Sequence, residues 1–262
     1  MRTEAIETQP HSGLRGHVLR YGGFCEYAPV AIRRREVAFS GVAVILALEG
    51  TRELTDPARG GAWCTRRSFV GGLVDGPVLV EHTGLTLTLQ FDLTPLGARQ
   101  LLGVPGAELA AQVVSVTDVL GDPGRVLVAQ LRELASWPAR FRALDAFLLE
   151  RLSEAAPVSA DIRWAWRRLV DAGGNIRIGR LVTELGCSRR HLSSRFKEEI
   201  GITPKAYARV LRFERAMKRL LAGEEPGDVA FACGYADQPH FNREFLAMAG
   251  VPPRVASAEQ AP

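Results

Sequence analysis

The C-terminal third of the chain contains an internal repeat, which constrains the fold more strongly than any other feature of the sequence. Four residues return at a constant offset of 49 positions: His191, Phe196, Gly201 and Pro204 recur as His240, Phe245, Gly250 and Pro253. Gly186 and Gly234 are 48 positions apart, so the second copy has one additional residue in its turn. Such a repeat predicts two copies of one supersecondary unit.

Each copy has the pattern of a helix-turn-helix. A short apolar helix ends at a glycine, Gly186 or Gly234, which suits a left-handed turn position. Ser188 or Asp237 then has the side chain expected at the N-cap of a second helix. The residues expected to face inward are Leu192, Phe196 and Ile200 in the first copy and Phe241, Phe245 and Met248 in the second.

A third helix connects the two copies. Thr203-Pro204 has the N-cap and first-turn proline of a helix start, and Gly223 ends the helix after about Leu221 and Ala222. Its expected buried stripe consists of Tyr207, Val210, Leu211, Met217, Leu220 and Leu221.

The opposite face of the second helix in each copy carries side chains of the types that commonly contact DNA bases and phosphates. Residues 161–255 hold 17 Lys and Arg against 11 Asp and Glu, so the positive charge of the chain is concentrated here. For any single arginine, a phosphate contact or a solvated side chain is as good an interpretation as a base contact. The candidate DNA-binding residues are Arg189, Arg190, Ser193, Ser194, Arg195, Gln238, Pro239, Asn242 and Arg243.

This region resembles the DNA-binding domain of the AraC/XylS family of bacterial transcriptional regulators. The matching motifs include Leu181-Val182-x-x-Leu185-Gly186, Gly201-x-Thr203-Pro204-x-x-Tyr207, Val229-Ala230-x-x-x-Gly234-Tyr235 and Phe241-x-Arg243-x-Phe245. Ser194 departs from the family, which often has arginine there. The resemblance implies a regulator that binds double-stranded DNA, works with RNA polymerase and carries a sensor or dimerisation domain before the DNA-binding domain.

The N-terminal half is predicted to be rich in β-strands, followed by a pair of helices. Five candidate strands are Val18–Phe24, Val37–Leu48, Trp63–Val74, Val78–Thr83 and Leu85–Leu93, the last with leucines and Phe91 on one face. Helices are expected at about 94–103, 125–134 and 139–152. The predicted fold class is α+β, with a barrel-like sensor domain at 1–155 and an all-α double helix-turn-helix domain at 161–255.

Two hypotheses for the N-terminal half stay open. In the first, a barrel binds a small, largely apolar effector through Tyr21, Phe24, Trp63 and Phe69, beside the glycine pairs 22–23 and 71–72. In the second, it is a ligand-free dimerisation or interaction module. The helical stripe of Phe141, Leu144, Phe147, Leu148 and Leu152 either holds a homodimer together or packs on the barrel.

The sequence contains no pattern typical of an enzyme, of a metal- or cofactor-binding protein, or of a membrane protein. No nucleophile motif, phosphate-binding loop or metal-ligand spacing is present, so we predict neither an enzyme nor a protein with a cofactor or metal site. The four cysteines form no C-x-x-C pair. No apolar run has the length of a membrane-spanning helix, and the first twenty residues lack a signal peptide pattern, so a cytoplasmic location without membrane contact is expected.

Overall fold

The computed structural model describes residues 2–55 and 63–259, and it combines an antiparallel sheet with a helical C-terminal region. The strands are β1 (Arg2–Thr8), β2 (Val18–Glu36), β3 (Val42–Glu49), β4 (Arg52–Thr55), β5 (Trp63–Arg66), β6 (Phe69–Gly71), β7 (Val78–Leu93) and β8 (Val113–Ser115). The first four helices are α1 (Pro95–Leu101), α2 (Gly106–Leu109), α3 (Val116–Glu133) and α4 (Trp137–Ser153).

The remaining helices follow segment 155–159, which has no regular secondary structure. They are α5 (Ala160–Asp171), α6 (Ile178–Leu185), α7 (Arg189–Ile200), α8 (Pro204–Leu221), α9 (Pro226–Ala232), α10 (Gln238–Ala249) and α11 (Pro253–Glu259). The predicted α+β class is therefore confirmed. None of the described helices is long and apolar enough to cross a membrane.

The strands form one sheet in the order β1-β2-β7-β3-β6-β8, with β4 pairing to both β5 and β7. The long strands β2 and β7 pair antiparallel over most of their length. The sequence pattern predicts two strands separated at Gly84, whereas the structure shows the single continuous strand β7. Strand β1 was not predicted; its register with β2 runs from Arg2 opposite Tyr27 to Thr8 opposite Tyr21.

The apolar face of the sheet packs against α1, α3 and α4. Alternation along β7 places Leu89, Phe91 and Leu93 on this face, and all three are fully buried. Leu85, predicted for the same face, is exposed because it lies beyond the area that the helices cover. Tyr21 belongs to this face too, since its ring stacks on that of Phe141 in α4.

The other face of the sheet, which we call the polar face, is also largely buried. Thr86, Thr88 and Asp92 on β7 are at most 2% exposed. Glu26, which lies opposite Thr86 on β2, is 3% exposed. The apolar cluster on this face comes from strands alone, around Ile45, Leu54 and Phe69. Strand residues alone bury this cluster, which indicates that the sheet curls over its polar face and forms a barrel-like cup.

Candidate nucleic-acid interface

Helix α7 presents the polar face expected of a helix that contacts DNA. Its N-cap is Ser188, whose Oγ accepts a hydrogen bond from the His191 N–H at 3.1 Å. Leu192, Phe196 and Ile200 are buried as predicted. On the opposite side, Arg189, Arg190 and Ser194 are exposed, and Ser193 is half-buried.

Helix α10 repeats this arrangement in the second module. Asp237 caps it, with Oδ1 accepting from the His240 N–H at 2.6 Å. Phe241, Phe245 and Met248 are fully buried. The residues predicted to contact DNA from this helix are all exposed: Gln238, Pro239, Asn242 and Arg243.

The turn glycine has a specific backbone requirement in both modules. Gly186 ends α6 with φ 63° and ψ 28°, and Gly234 has φ 74°. A Cβ atom at Gly234 would also lie 2.3 Å from Oδ1 of the exposed Asn175, so that side chain would have to move. Both positions therefore select glycine for its backbone conformation.

One carboxylate in each of these helices, Glu199 in α7 and Glu244 in α10, already pairs with other residues of the chain. Glu199, 8% exposed at the end of α7, accepts hydrogen bonds from the Ser159 N–H and from Arg195 at 3.2 Å. Glu244 in α10 accepts from Arg209 at 3.0 Å and Arg212 at 3.3 Å. Burial alone would raise the pKa of Glu244, but the charges of Arg209 and Arg212 outweigh it and lower the pKa. Arg195, predicted to contact DNA, thus already has a structural partner.

The connecting helix α8 begins at Thr203, whose Oγ1 accepts from the Ala206 N–H at 3.2 Å. Tyr207, Val210, Met217 and Leu220 are buried as predicted. Leu221 is exposed and Leu211 only half-buried, because the buried stripe turns toward Phe213 and Ala216 instead. Because α8 packs on both modules, their relative position depends on it.

The aromatic residues predicted to bind an effector do not share one surface. Phe24 and Phe69 lie on the polar face, whereas Tyr21 packs on α4 and donates a hydrogen bond from its hydroxyl to Asp145 at 2.9 Å. The side chain of Trp63 lies outside the described residues. The structure therefore describes three of these four side chains, and the three lie on two opposite faces of the sheet.

The volume freed by Gly22, Gly23 and Gly72 is filled by the chain, whereas a Cβ atom at Gly71 would meet only the Ala43 carbonyl oxygen, at 3.8 Å. A Cβ atom at Gly22 would lie 2.7 Å from the Phe24 ring, and one at Gly23 would lie 2.5 Å from the Trp137 ring. At Gly72 the Leu109 carbonyl oxygen would be 1.7 Å away. These glycines allow close packing, so they are not evidence for ligand space.

Segment 37–41, between β2 and β3, joins the sheet to the helical region. The sequence pattern predicts a strand here, but β3 begins only at Val42 because the preceding residues dock between α8 and α10. Ala38 is 1% exposed and donates its N–H to the Met248 carbonyl at 3.2 Å. Ser40 donates its N–H and its hydroxyl to the two carboxylate oxygens of Glu214, both at 2.7 Å.

A second contact between the halves involves α2 and the end of α7. A Cβ atom at Gly106 would lie 2.4 Å from the Ile200 carbonyl carbon and 2.6 Å from the Glu199 carbonyl oxygen. Both helices that carry the exposed basic faces are therefore held at their C-terminal ends by the N-terminal half. These contacts could not be predicted from sequence patterns because the partners are far apart in the chain, 174 positions in the case of Ser40 and Glu214.

The helical pair α3 and α4 packs on the sheet and leaves a groove on its outer side. Leu144 and Leu148 are at most 1% exposed and belong to the core of the chain. The groove has a volume of about 520 Å³ and is lined by Val126, Ala143, Phe147 and their neighbours. Val126 is 65% exposed at its edge.

A family model described as a helix-turn-helix domain matches residues 181–258, which contain both modules and the connecting helix. The chain carries the helix-turn-helix domain of the AraC/XylS family. The chain is 38% identical over 66 residues to the HTH-type transcriptional regulator YbfI of Bacillus subtilis, covering 25% of this chain and 24% of that protein. The activator RhaR of Pectobacterium atrosepticum is 42% identical over 67 residues, covering 25% of this chain and 24% of that protein.

The regulator Rv1931c of Mycobacterium tuberculosis is 32% identical, covering 38% of this chain and 47% of that protein. The chain therefore matches less than half of the length of these curated relatives. The whole fold is similar to ToxT of Vibrio cholerae, with a TM-score of 0.51 and 12% identity over 91% of this chain and 97% of that one. This likeness shows that the same combination of a sheet and a helical C-terminal region occurs in a solved structure.

Proposed function

We propose that this protein is a sequence-specific DNA-binding regulator of transcription. The observation that carries the proposal is the pair of capped helices, α7 and α10, whose exposed faces hold Arg189, Arg190, Asn242 and Arg243 with no described carboxylate partner. Arginine and asparagine are the side chains that read guanine and adenine in the major groove. Since α8 connects the modules rigidly, the two helices enter successive major grooves, about 34 Å apart.

We propose different roles in DNA binding for the remaining predicted residues. Ser193, Ser194, Gln238 and Pro239 lie where phosphate or base contacts form, and Arg195 contributes charge while it stays paired to Glu199. The chain divides at residues 155–160 into a regulatory domain, 1–155, and the DNA-binding domain, 161–255.

Selection of bound sequences from random duplex DNA by the purified protein tests this function. We expect a conserved motif with two half-sites one helical turn apart. A bound pool without any enriched motif, or no binding at low salt, would contradict sequence-specific regulation. Measuring affinity against salt concentration then separates the phosphate contacts from the base contacts.

We further propose that a small molecule in the N-terminal half controls DNA binding. The support is the docking of segment 37–41 and α2 onto the helices that carry the DNA-binding faces, since a ligand that shifts the sheet would change their positions. Solved ToxT structures include one with a bound unsaturated fatty acid. The effector acts only if it binds two states of the protein differently, by about 1 to 3 kcal/mol in typical cases.

A second candidate function of the N-terminal half is dimerisation without a ligand. The observation in its favour is the open groove between α3 and α4, with Val126 and Phe147 at its surface. The space beside Gly22, Gly23 and Gly72 is filled by the chain, which also agrees with a self-packed sheet. Dimerisation through this groove is compatible with effector control and is tested separately below.

A further inference from the structure

The internal repeat makes the first helices of the two modules, α6 and α9, comparable position by position. Glycine and buried apolar positions correspond at an offset of 48 residues: Gly179 with Gly227 and Leu181 with Val229, the last two both fully buried. Helices α6 and α9 therefore pack into their modules in the same way. Differences between their outer faces then reflect what those faces meet outside the chain.

The exposed positions of the two helices carry opposite charges. The N-cap residue is Arg177 in α6 and Glu225 in α9, and neither side chain makes a capping hydrogen bond. Three residues further along the chain, Arg180 in α6 corresponds to Asp228 in α9. All four side chains belong to exposed residues. The two modules thus present a basic and an acidic surface at equivalent structural positions.

Helix stability does not explain the two arginines. The first turn of a helix has a partial positive charge, so acidic residues there stabilise the helix and basic residues destabilise it. Glu225 and Asp228 agree with this rule, whereas Arg177 and Arg180 break it. Arg180 is partly compensated, because its Nε donates to Glu184 Oε1 at 2.6 Å. Arg177 forms no ion pair with any described residue. A side chain that lowers local stability without a compensating contact indicates a role in binding.

The first turn of α6 lies beside the DNA-binding end of α7. A Cβ atom at Gly179 would be 3.1 Å from Nη2 of Arg189, so the Arg189 guanidinium packs on that turn. Arg189 is the first residue of α7 and a candidate for DNA contact. Arg177 and Arg180, on either side of Gly179 in the chain, therefore extend the basic surface of α7 onto α6.

The charges of the whole modules differ in the same sense. Residues 161–203 contain nine Lys and Arg against five Asp and Glu, whereas residues 223–255 contain two against five. Glu184 in α6 is shared between Arg168 at 3.3 Å and Arg180 at 2.6 Å, so this one carboxylate does not neutralise both. Phosphate contacts supply most of the sequence-independent affinity of a DNA-binding protein. We therefore expect the two modules to contribute unequally to that affinity.

We propose that the first module binds the DNA phosphate backbone through Arg177 and Arg180, and that the second module binds DNA without an equivalent contact from α9. In helix-turn-helix proteins the first helix crosses the backbone while the second helix enters the major groove. Arginine donates paired hydrogen bonds to a phosphate, whereas Glu225 and Asp228 repel it. The second module then contributes mainly through the base contacts of α10. This inference rests on the proposed DNA binding.

The experiment measures binding of the full-length protein to its selected operator and to an unrelated duplex at several salt concentrations. Arg177→Gln and Arg180→Gln should each weaken binding to both duplexes by about threefold or more, and each should reduce the salt slope by about 0.9, as expected for one lost phosphate contact. Glu225→Gln and Asp228→Asn, at the equivalent positions of α9, should reduce neither the affinity nor the slope. Arg142→Gln, at an exposed position of α4, is the control for the loss of one positive charge.

Thermal denaturation of the free protein separates a binding role of Arg177 from a structural one. Arg177→Gln should leave the melting temperature unchanged or raise it, because it removes a positive charge from the start of a helix. A lower melting temperature would give Arg177 a structural role and overturn the proposal. Unchanged DNA binding by either arginine variant, a loss confined to the selected operator, or an equal loss in Glu225→Gln would also overturn it.

Selection from random duplex DNA distinguishes failure of this inference from failure of the proposed function. An enriched motif together with unchanged binding by the arginine variants contradicts only the phosphate contacts of α6. A salt-dependent loss of duplex binding in those variants, without any enriched motif, contradicts sequence-specific regulation instead.

Discussion

At the scale of single residues, the exposed arginines of α7 and α10 differ in whether they form ion pairs with other residues of the chain. Arg195 is held by Glu199, which also receives the Ser159 N–H, so its position is fixed by the chain. Arg243 forms no ion pair with any described residue. Its guanidinium is free to contact a base, and its removal leaves no buried carboxylate behind.

Replacing Arg243 with alanine should therefore weaken DNA binding by about 1 to 3 kcal/mol and relax the preference at one base pair, as expected for a lost base contact. Binding to the selected site and to its single-base variants measures this effect. Arg142→Ala, which removes an exposed arginine from α4, is the control for net charge. A uniform loss across all DNA sequences would assign Arg243 to a phosphate instead.

At the scale of elements, segment 37–41 and α2 connect the sheet to the DNA-binding modules. The Tyr207 hydroxyl donates to the Ser40 carbonyl at 3.1 Å and accepts from Trp166 Nε1 at 2.9 Å. Together with the bonds from Ser40 to Glu214, these contacts satisfy the polar groups of a loop that lies between helices. Movement of the loop therefore requires several hydrogen bonds to break together.

The Ser40–Glu214 contact is tested by a double-mutant cycle. Glu214→Gln should lower the free energy of unfolding by about 1.5 to 3 kcal/mol, because hydrogen bonds to a charged group are lost. Ser40→Ala should cost less, since the backbone N–H still donates. The double variant should show coupling of at least 0.5 kcal/mol in chemical denaturation. Glu225→Gln, at an exposed position, is the control, and strict additivity would contradict a direct contact.

Gly106 tests the contact between α2 and α7. Gly106→Ala should destabilise the protein by about 1 to 3 kcal/mol, because the added methyl group meets backbone atoms of Glu199 and Ile200 that cannot move alone. Gly227→Ala is the matched control: no atom lies within 4 Å of its Cβ position in α9. That change should stabilise the protein by about 0.5 to 1 kcal/mol. Equal thermal denaturation of both variants would show that α2 does not pack closely on α7.

At the scale of the whole molecule, the groove between α3 and α4 is the surface we propose for a homodimer. Leu148 is part of the core, so Leu148→Glu would unfold the chain whether or not it dimerises. Val126 is the informative position because it is exposed beside the groove.

Val126→Glu should convert the dimer into a folded monomer with weaker binding to a two-site operator. Sedimentation measures the mass, and circular dichroism checks that the variant is folded. Val255→Glu changes an exposed valine in the helical C-terminal region and should leave the mass unchanged. A wild-type protein that is monomeric at all concentrations, or a Val126→Glu dimer, would exclude this interface.

The sequence by itself determined the AraC-type domain, because its information is local and repeated. Gly186 and Gly234 fix the turns, Ser188 and Asp237 cap the helices that follow, and the apolar spacing around Phe196 and Phe245 defines their buried faces. Each of these signals acts within a few residues, so a pattern reveals it. Alternation along β7 likewise determined which residues lie on each face of the sheet.

Only the tertiary structure decided which distant segments pack against each face of the helices and of the sheet. The sequence predicted Tyr21 beside an effector, but the turn of the sheet places its ring on α4. On the polar face, β2 is irregular between Ala28 and Ile32, and Arg34 meets Glu26 from eight positions further along the strand, at 2.6 Å. Ser40 meets Glu214 across 174 positions. Contacts of this kind depend on how distant segments pack together, and no periodicity within a segment encodes the identity of its distant partner.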